Sequence, residues 1–327
     1  MLKNKKTWLF LVLVAALAVV PQLSIASSYV MSVFNMLLVN IIIVLGLNFI
    51  TGLTGQMNLG TAGIWALGAY TYGILTTPIT NDVVINPWLV MIILVVLGCL
   101  IGRGLGYPSL RLKGFYLSLT TIGFSEIVRM LIMNTPSLTN GVNGIKEIPK
   151  LSLGFYTFHN DKDYYYLLLF FAILATLIAY KLVGSKWGRA FKSIRDNAEA
   201  SEACGIKIST LKIQAFTLAA LYACLAGGLY AGMRAYISPT TFTIPASQNY
   251  VAMLMLGGIG TVPGNILGAV LVTALPELLR GLGDYYWLVF CTVCLVMAVL
   301  VPDGLYSVFK RLVKRAVART KKTGGAA

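Results

Sequence analysis

From Tyr29 onward the chain repeats one pattern, an apolar run of about twenty residues, a short interruption rich in glycine or charge, then another apolar run. Hydrocarbon offers backbone N–H and C=O groups no partners, so a single-chain segment of that length crosses a bilayer as a helix. The runs place spans at Trp8–Ala26, Tyr29–Ile50, Asn58–Thr76, Trp88–Gly106, Gly114–Met133, Tyr164–Val183, Thr210–Met233, Gln248–Gly260, Gly264–Leu279 and Tyr285–Val301. The eighth is too short for a regular crossing and is expected to be tilted, broken or re-entrant. The expected fold is therefore an all-α polytopic integral membrane protein of about 10 transmembrane helices, within a range of 9 to 11.

Charge supports this reading and orients it. Residues are 57% hydrophobic and 11% charged, and the formal net charge is +15, which by itself also suits a nucleic-acid binder. With ten crossings and an internal N-terminus, however, 20 of the 26 Lys and Arg residues fall on one side, as cytoplasmic loops require. The basic excess is a topological signal, and no nucleic-acid partner is expected. Both termini are expected inside, including the basic tail 305–327. Residues 1–28 also have the parts of a cleaved secretory signal, but their removal would put that tail on the wrong side, so a retained span is expected.

Outside the spans, catalytic chemistry finds little support. Cys291 and Cys294 read as small residues on an apolar helix, and His159 has no second ligand nearby, so no metal is expected. No GxxxxGK[ST] phosphate loop occurs, so the chain is not expected to be an enzyme. The external loop, about 134–163, carries the turn signals Asn140-Gly141 and Asn143-Gly144 and is either a docking surface or a passive connection.

One internal loop, about 184–209, breaks the apolar monotony. Lys186 to Arg195 sets Trp187, Ala190, Phe191 and Ile194 on one face at helical spacing, with Arg189, Lys192 and Arg195 around it. Asp196 or Asn197 can cap a second helix, acidic at its start through Glu199 and Glu202, and Gly205 stands where a left-handed C-cap is wanted. Such a pair can lie in headgroups, merely connect two spans, or engage a cytoplasmic protein. Its acidic second half favours the protein over an anionic leaflet.

Those residues also carry a resemblance. "EASEACG", 199–205, is similar to the Glu-Ala-Ala, three residues, Gly motif of ABC importer permeases, although the later Ile and Leu-Pro of the extended motif are absent. In order along the chain, "GLNFITGLTGQMNLGTAGIWALGAYT" (46–71), "RLKGFYLSLTTIGFSEIVRMLI" (111–132), "LTNGVNGI" (138–145), "WGRAFKSIRDNAEASEACGI" (187–206), "AYISPTTF" (235–242) and "GGIGTVPGNILGAVLVTALPELLR" (257–280) resemble the blocks of LivH/LivM-type branched-chain amino-acid permeases. "RLKG" and "PDG" (302–304) resemble the LivM side of that pair.

The resemblance implies an ABC importer permease fold in one transmembrane domain over 1–327, located in a bacterial or archaeal plasma membrane. It implies a second homologous permease, two cytoplasmic ATPase subunits holding ATP and Mg, and an extracytoplasmic solute-binding protein, with no cofactor in this chain. Arg189, Glu199, Ala200, Glu202 and Gly205 are then the ATPase-coupling residues. Branched-chain amino acids are the implied cargo, and urea, short amides or another small solute the alternative. A reading of another class is a stand-alone ion-coupled transporter or channel using Glu126 or Glu277.

Charges inside spans are costly and mark function. Glu126 with Arg129, and Glu277 with Arg280, repeat an i, i+3 spacing toward the external side. They either line or gate a vestibule or clamp helices together. Likewise the glycine-dense stretch 52–73 either packs helices closely or exposes Gln56 and Asn58 at a helix break, and 257–264 is a second break of that kind.

Overall fold

A computed structural model describes residues 28–310 apart from 79–83, 113, 154–155, 158–160, 280, 282–284, 302–303 and 309. The expected first span, Arg280, His159 and the tail beyond Lys310 lie outside the described residues. In chain order, α1 (Ser28–Leu47) runs into a π-helical turn (Asn48–Leu53), followed by α2 (Thr61–Thr76), α3 (Pro87–Arg111), α4 (Phe115–Asn134) and a single turn, α5 (Pro136–Thr139). A two-residue ladder of β1 (Ser152–Leu153) and β2 (Tyr156–Thr157) precedes α6 (Asp161–Gly184), α7 (Lys186–Asp196), α8 (Ala198–Ala203), α9 (Ile208–Arg234), α10 (Ile244–Gly257), α11 (Val262–Leu278) and α12 (Tyr286–Leu300).

Among the described residues five helices are long and apolar enough to cross a membrane, and α11 and the middle of α12 are shorter apolar helices. Apart from the short β1–β2 ladder the fold is helical, and it is polytopic. Within their most apolar windows, α9 is 78% buried and α1 67%, against 33% for α3 and α4, so α9 and α1 form the centre of the bundle and the other two its flank. Near the C-terminal end of α9 an aromatic cluster sets the Trp65 ring edge-on to Tyr230 and Phe242, with centroids 4.8 and 4.5 Å apart.

The two ends of the bundle differ in chemistry. One carries the termini of α3, α6 and α9 with Arg111, Lys181 and Lys207, and is called the basic end here. At the opposite end the loop after α4 folds back on the helices. Ile145, Ile148 and Leu151 are buried, Ile145 bridges Ile237, and the Tyr72 hydroxyl donates to the Pro149 carbonyl at 3.0 Å. The loop therefore closes that end of the bundle, while Lys146 and Glu147, together with Leu138 and Val142, face outward. Both turn signals hold, since Asn140, Gly141 and Gly144 adopt positive φ.

The eighth expected span is a 14-residue helix, α10, about 21 Å long at 1.5 Å per residue and shorter than a hydrocarbon core. It starts at Ile244 with a proline in its first turn and ends at Gly257, because Gly258 (φ +128°) leaves helical space. The chain turns through Gly258–Thr261 and returns as α11.

Candidate functional site

At the basic end the charged segment forms two capped helices. The Ser185 hydroxyl accepts from Gly188 N–H at the start of α7, and Asn197 Oδ1 accepts from Ala200 N–H at 3.0 Å to start α8. Gly205, at φ +80°, ends α8, with its N–H on the Glu202 carbonyl and the Ile206 N–H on Ser201. Of the expected apolar face, Phe191 (1% exposed) and Ile194 (5%) are buried against the bundle, whereas Trp187 is half-exposed. Trp187 lies at the edge of that face, where the ring is only half covered.

The acidic helix projects. Glu199, Ala200, Glu202 and Gly205 are all exposed, Arg189 is exposed on α7, and a Cβ at Gly205 would meet nothing within 4 Å. Buried Ser201 and partly buried Ala198 turn one side of α8 toward the protein. Since the Asn197 cap holds α8 in place, Asn197→Ala is expected to loosen that helix by about 1 kcal/mol. Faster amide exchange at Ala200 reads this, and Asn197→Asp should restore protection.

Beneath α7 the two helix breaks meet. Gly260 N–H donates to Asn48 Oδ1 at 3.0 Å, joining the α10–α11 turn to the π turn of α1. A guanidinium nitrogen of Arg195, in the last turn of α7, donates to the Gly52 carbonyl at 2.8 Å. Sequence reading marked both breaks but not their contact. The available signal was Asn48, a polar side chain in an apolar run.

Past the π turn, Thr54–Gly60 runs without helix along α4. Its backbone groups are met by side chains: Leu59 N–H donates to Thr121 Oγ1 at 3.1 Å, Ser118 Oγ donates to the Met57 carbonyl at 3.4 Å, and Ala62 N–H, just beyond, donates to Ser247 Oγ at 2.9 Å. Irregular backbone is tolerated at membrane depth only with such partners. Ser118, Thr121 and Ser247 escaped sequence reasoning because isolated hydroxyls carry no pattern. Asn58 is buried with Oδ1 on the Gly60 N–H, while Gln56 is partly exposed beside exposed Met57.

The two Glu-x-x-Arg sets differ. Glu126 and Arg129 pair within α4, with Arg129 Nε 3.1 Å from both carboxylate oxygens and a second guanidinium nitrogen closer still to Oε1. Glu277 instead accepts a hydrogen bond from the Tyr29 hydroxyl of α1. Among the described residues no ion pair joins α4 to α11.

Comparison with known proteins points one way. The family described as branched-chain amino acid transport system / permease component matches residues 29–299. The high-affinity branched-chain amino acid transport system permease protein LivM of Escherichia coli (strain K12) is 32% identical over 323 residues, covering 92% of this chain and 75% of that protein. The probable branched-chain amino acid transport permease protein LivM of Methanocaldococcus jannaschii is 26% identical over 201 residues, or 59% of this chain and 58% of its own. The autoinducer 2 import system permease protein LsrC of Salmonella typhimurium is 33% identical over 141 residues, 41% of each chain. No solved structure matches the chain.

Proposed function

The chain belongs to the family of branched-chain amino acid transport permeases, and from that premise we propose that it is one pore-forming subunit of an ATP-driven importer. A second homologous permease completes the pore. Two ATPase subunits, holding ATP and Mg, dock on the basic end, which faces the cytoplasm, and a solute-binding protein delivers cargo at the opposite end. The cargo is a branched-chain amino acid. Another small solute is the second reading, favoured by the similarity to a permease named for autoinducer 2 import.

One observation carries the proposal: α8 presents Glu199, Ala200, Glu202 and Gly205 exposed on its outer side, while α7 beside it is anchored by Phe191 and Ile194. A rigid, capped knob of that kind fits a cleft in another protein. On this reading ATP-driven closure of the ATPase pair moves α7 and α8, and the pore alternates its access. Gln56, Asn58, Glu126 and Arg129 are the proposed pathway or gate residues.

Co-purification from native membranes tests this. The wild type is expected to bring ATPase subunits with it, and Glu199→Arg combined with Gly205→Arg to lose them at equal expression, because a central interface residue commonly carries about 2 kcal/mol or more. ATPase that stays with the double variant removes α8 as the docking element.

A further inference from the structure

We propose that Arg195 is a positioning residue for energy coupling, tying the α7–α8 segment to both helix breaks so that movement of the segment reaches the pore wall. The inference rests on the importer reading above and goes beyond it by naming the link.

The link is built from groups that a helix end leaves free. The Gly52 carbonyl lies at the C-terminal end of the π turn, where backbone acceptors have no intrahelical partner and the helix dipole favours a cation. Arg195 supplies both, with a hydrogen bond at 2.8 Å and a full charge. Among the described residues the guanidinium forms no ion pair, so the Gly52 carbonyl is the partner that fixes its direction.

Three chain segments converge around that contact, and side chains would keep them apart. A Cβ at Gly55 (φ +72°) would lie 3.1 Å from Arg195 Cγ. One at Gly260 (φ +78°) would lie 3.2 Å from the Gly52 carbonyl oxygen and 3.4 Å from the Arg195 guanidinium. The Gly260 amide then reaches Asn48, completing a chain of contacts from α7 to the π turn to the α10–α11 turn. These segments lie 143 residues apart across the Arg195 bond and 212 across the Asn48 bond, so no local rigidity joins them otherwise.

The wall beyond the link is poised to rearrange. Asn265, one helical turn past Thr261, is fully buried and neither its amide nitrogen nor its oxygen has a partner among the described residues, and the same holds for Asn48 Nδ2 and Thr51 Oγ1. Buried polar atoms left unbonded are costly, so a shift that gives them partners meets less resistance than one in a saturated wall. A pull on Gly52 through Arg195 acts on that region.

The test uses the whole transporter, reconstituted in liposomes with its binding protein, and follows labelled leucine and ATP hydrolysis together. In Arg195→Ala, leucine moved per ATP is expected to fall about tenfold while hydrolysis stays within about twofold, a loss of coupling of the size usual between linked sites. Arg195→Lys, a point charge without the planar fork, should recover part of the ratio. Amide exchange in 48–56 and 256–264 should quicken in Arg195→Ala, with the 145–151 loop unchanged. Transport and hydrolysis falling in proportion, or exchange rising throughout, would make Arg195 an ordinary structural cap and overturn the proposal. A wild-type chain that brings no ATPase refutes the importer reading itself, and the coupling role falls with it.

Discussion

Gly102→Leu is expected to prevent a stable fold, while Gly104→Leu, two residues along the same helix, leaves it intact. On α3, Gly98, Gly102 and Gly106 recur every fourth residue and meet the backbone of α9 in antiparallel order at Leu221, Thr217 and Ile213. A Cβ at these positions would lie 2.8, 2.5 and 3.0 Å from the respective Cα atoms, the first two closer than real side chains come and the third at the tight limit. At Gly104 a Cβ meets nothing within 4 Å. Apolar association in lipid gains nothing from expelling water, so this pair of helices depends on close van der Waals contact, which a leucine in the seam would destroy. Overpacking of this severity costs about 3 kcal/mol or more, whereas Leu at an outward helical position gains nearly 1 kcal/mol over Gly. Thermal unfolding and size-exclusion profiles in one detergent separate the two variants. Equal losses in both would show that the α3–α9 seam does not depend on close approach.

That seam illustrates what the sequence alone reveals. The helices were legible because hydrocarbon leaves a long apolar run one conformation, and each run from Tyr29 onward contains a helix, five of those described being long and apolar enough to cross a membrane. The split between α7 and α8 was legible too, since Asn197 and Gly205 are local signals acting on their neighbours. Contacts between distant segments were not. Nothing in "GLTGQ" announces that Gly52 will receive Arg195, and the i, i+3 spacing shared by Glu126 with Arg129 and Glu277 with Arg280 says nothing of a Tyr29 on another helix. Trp187 shows the same limit. Helical spacing grouped it with Phe191 and Ile194, but the width of the surface that α7 leans on decides where the buried face stops.

Arg129→Leu is expected to impair both folding and transport, and the double variant Glu126→Leu with Arg129→Leu to recover folding alone. In the wild type the two side chains satisfy each other along one helix, and Arg129 also donates to the Met133 sulfur, again on α4. The pair is thus not a bond between helices among the described residues of this chain. Its side chains remain 24% and 28% exposed on a span, so in a bilayer either water or another subunit must meet them. Removing Arg129 strands a carboxylate at membrane depth, a penalty of about 2.5–3.5 kcal/mol near the middle of a span. Removing both charges lifts that penalty, so thermal stability should return to near the wild-type value. If the pair lines the solute path, labelled leucine uptake by the double variant stays low despite normal stability and normal ATPase association. Uptake that returns together with stability would confine Glu126 and Arg129 to a structural role and move the search for the gate to Gln56 and exposed Met57.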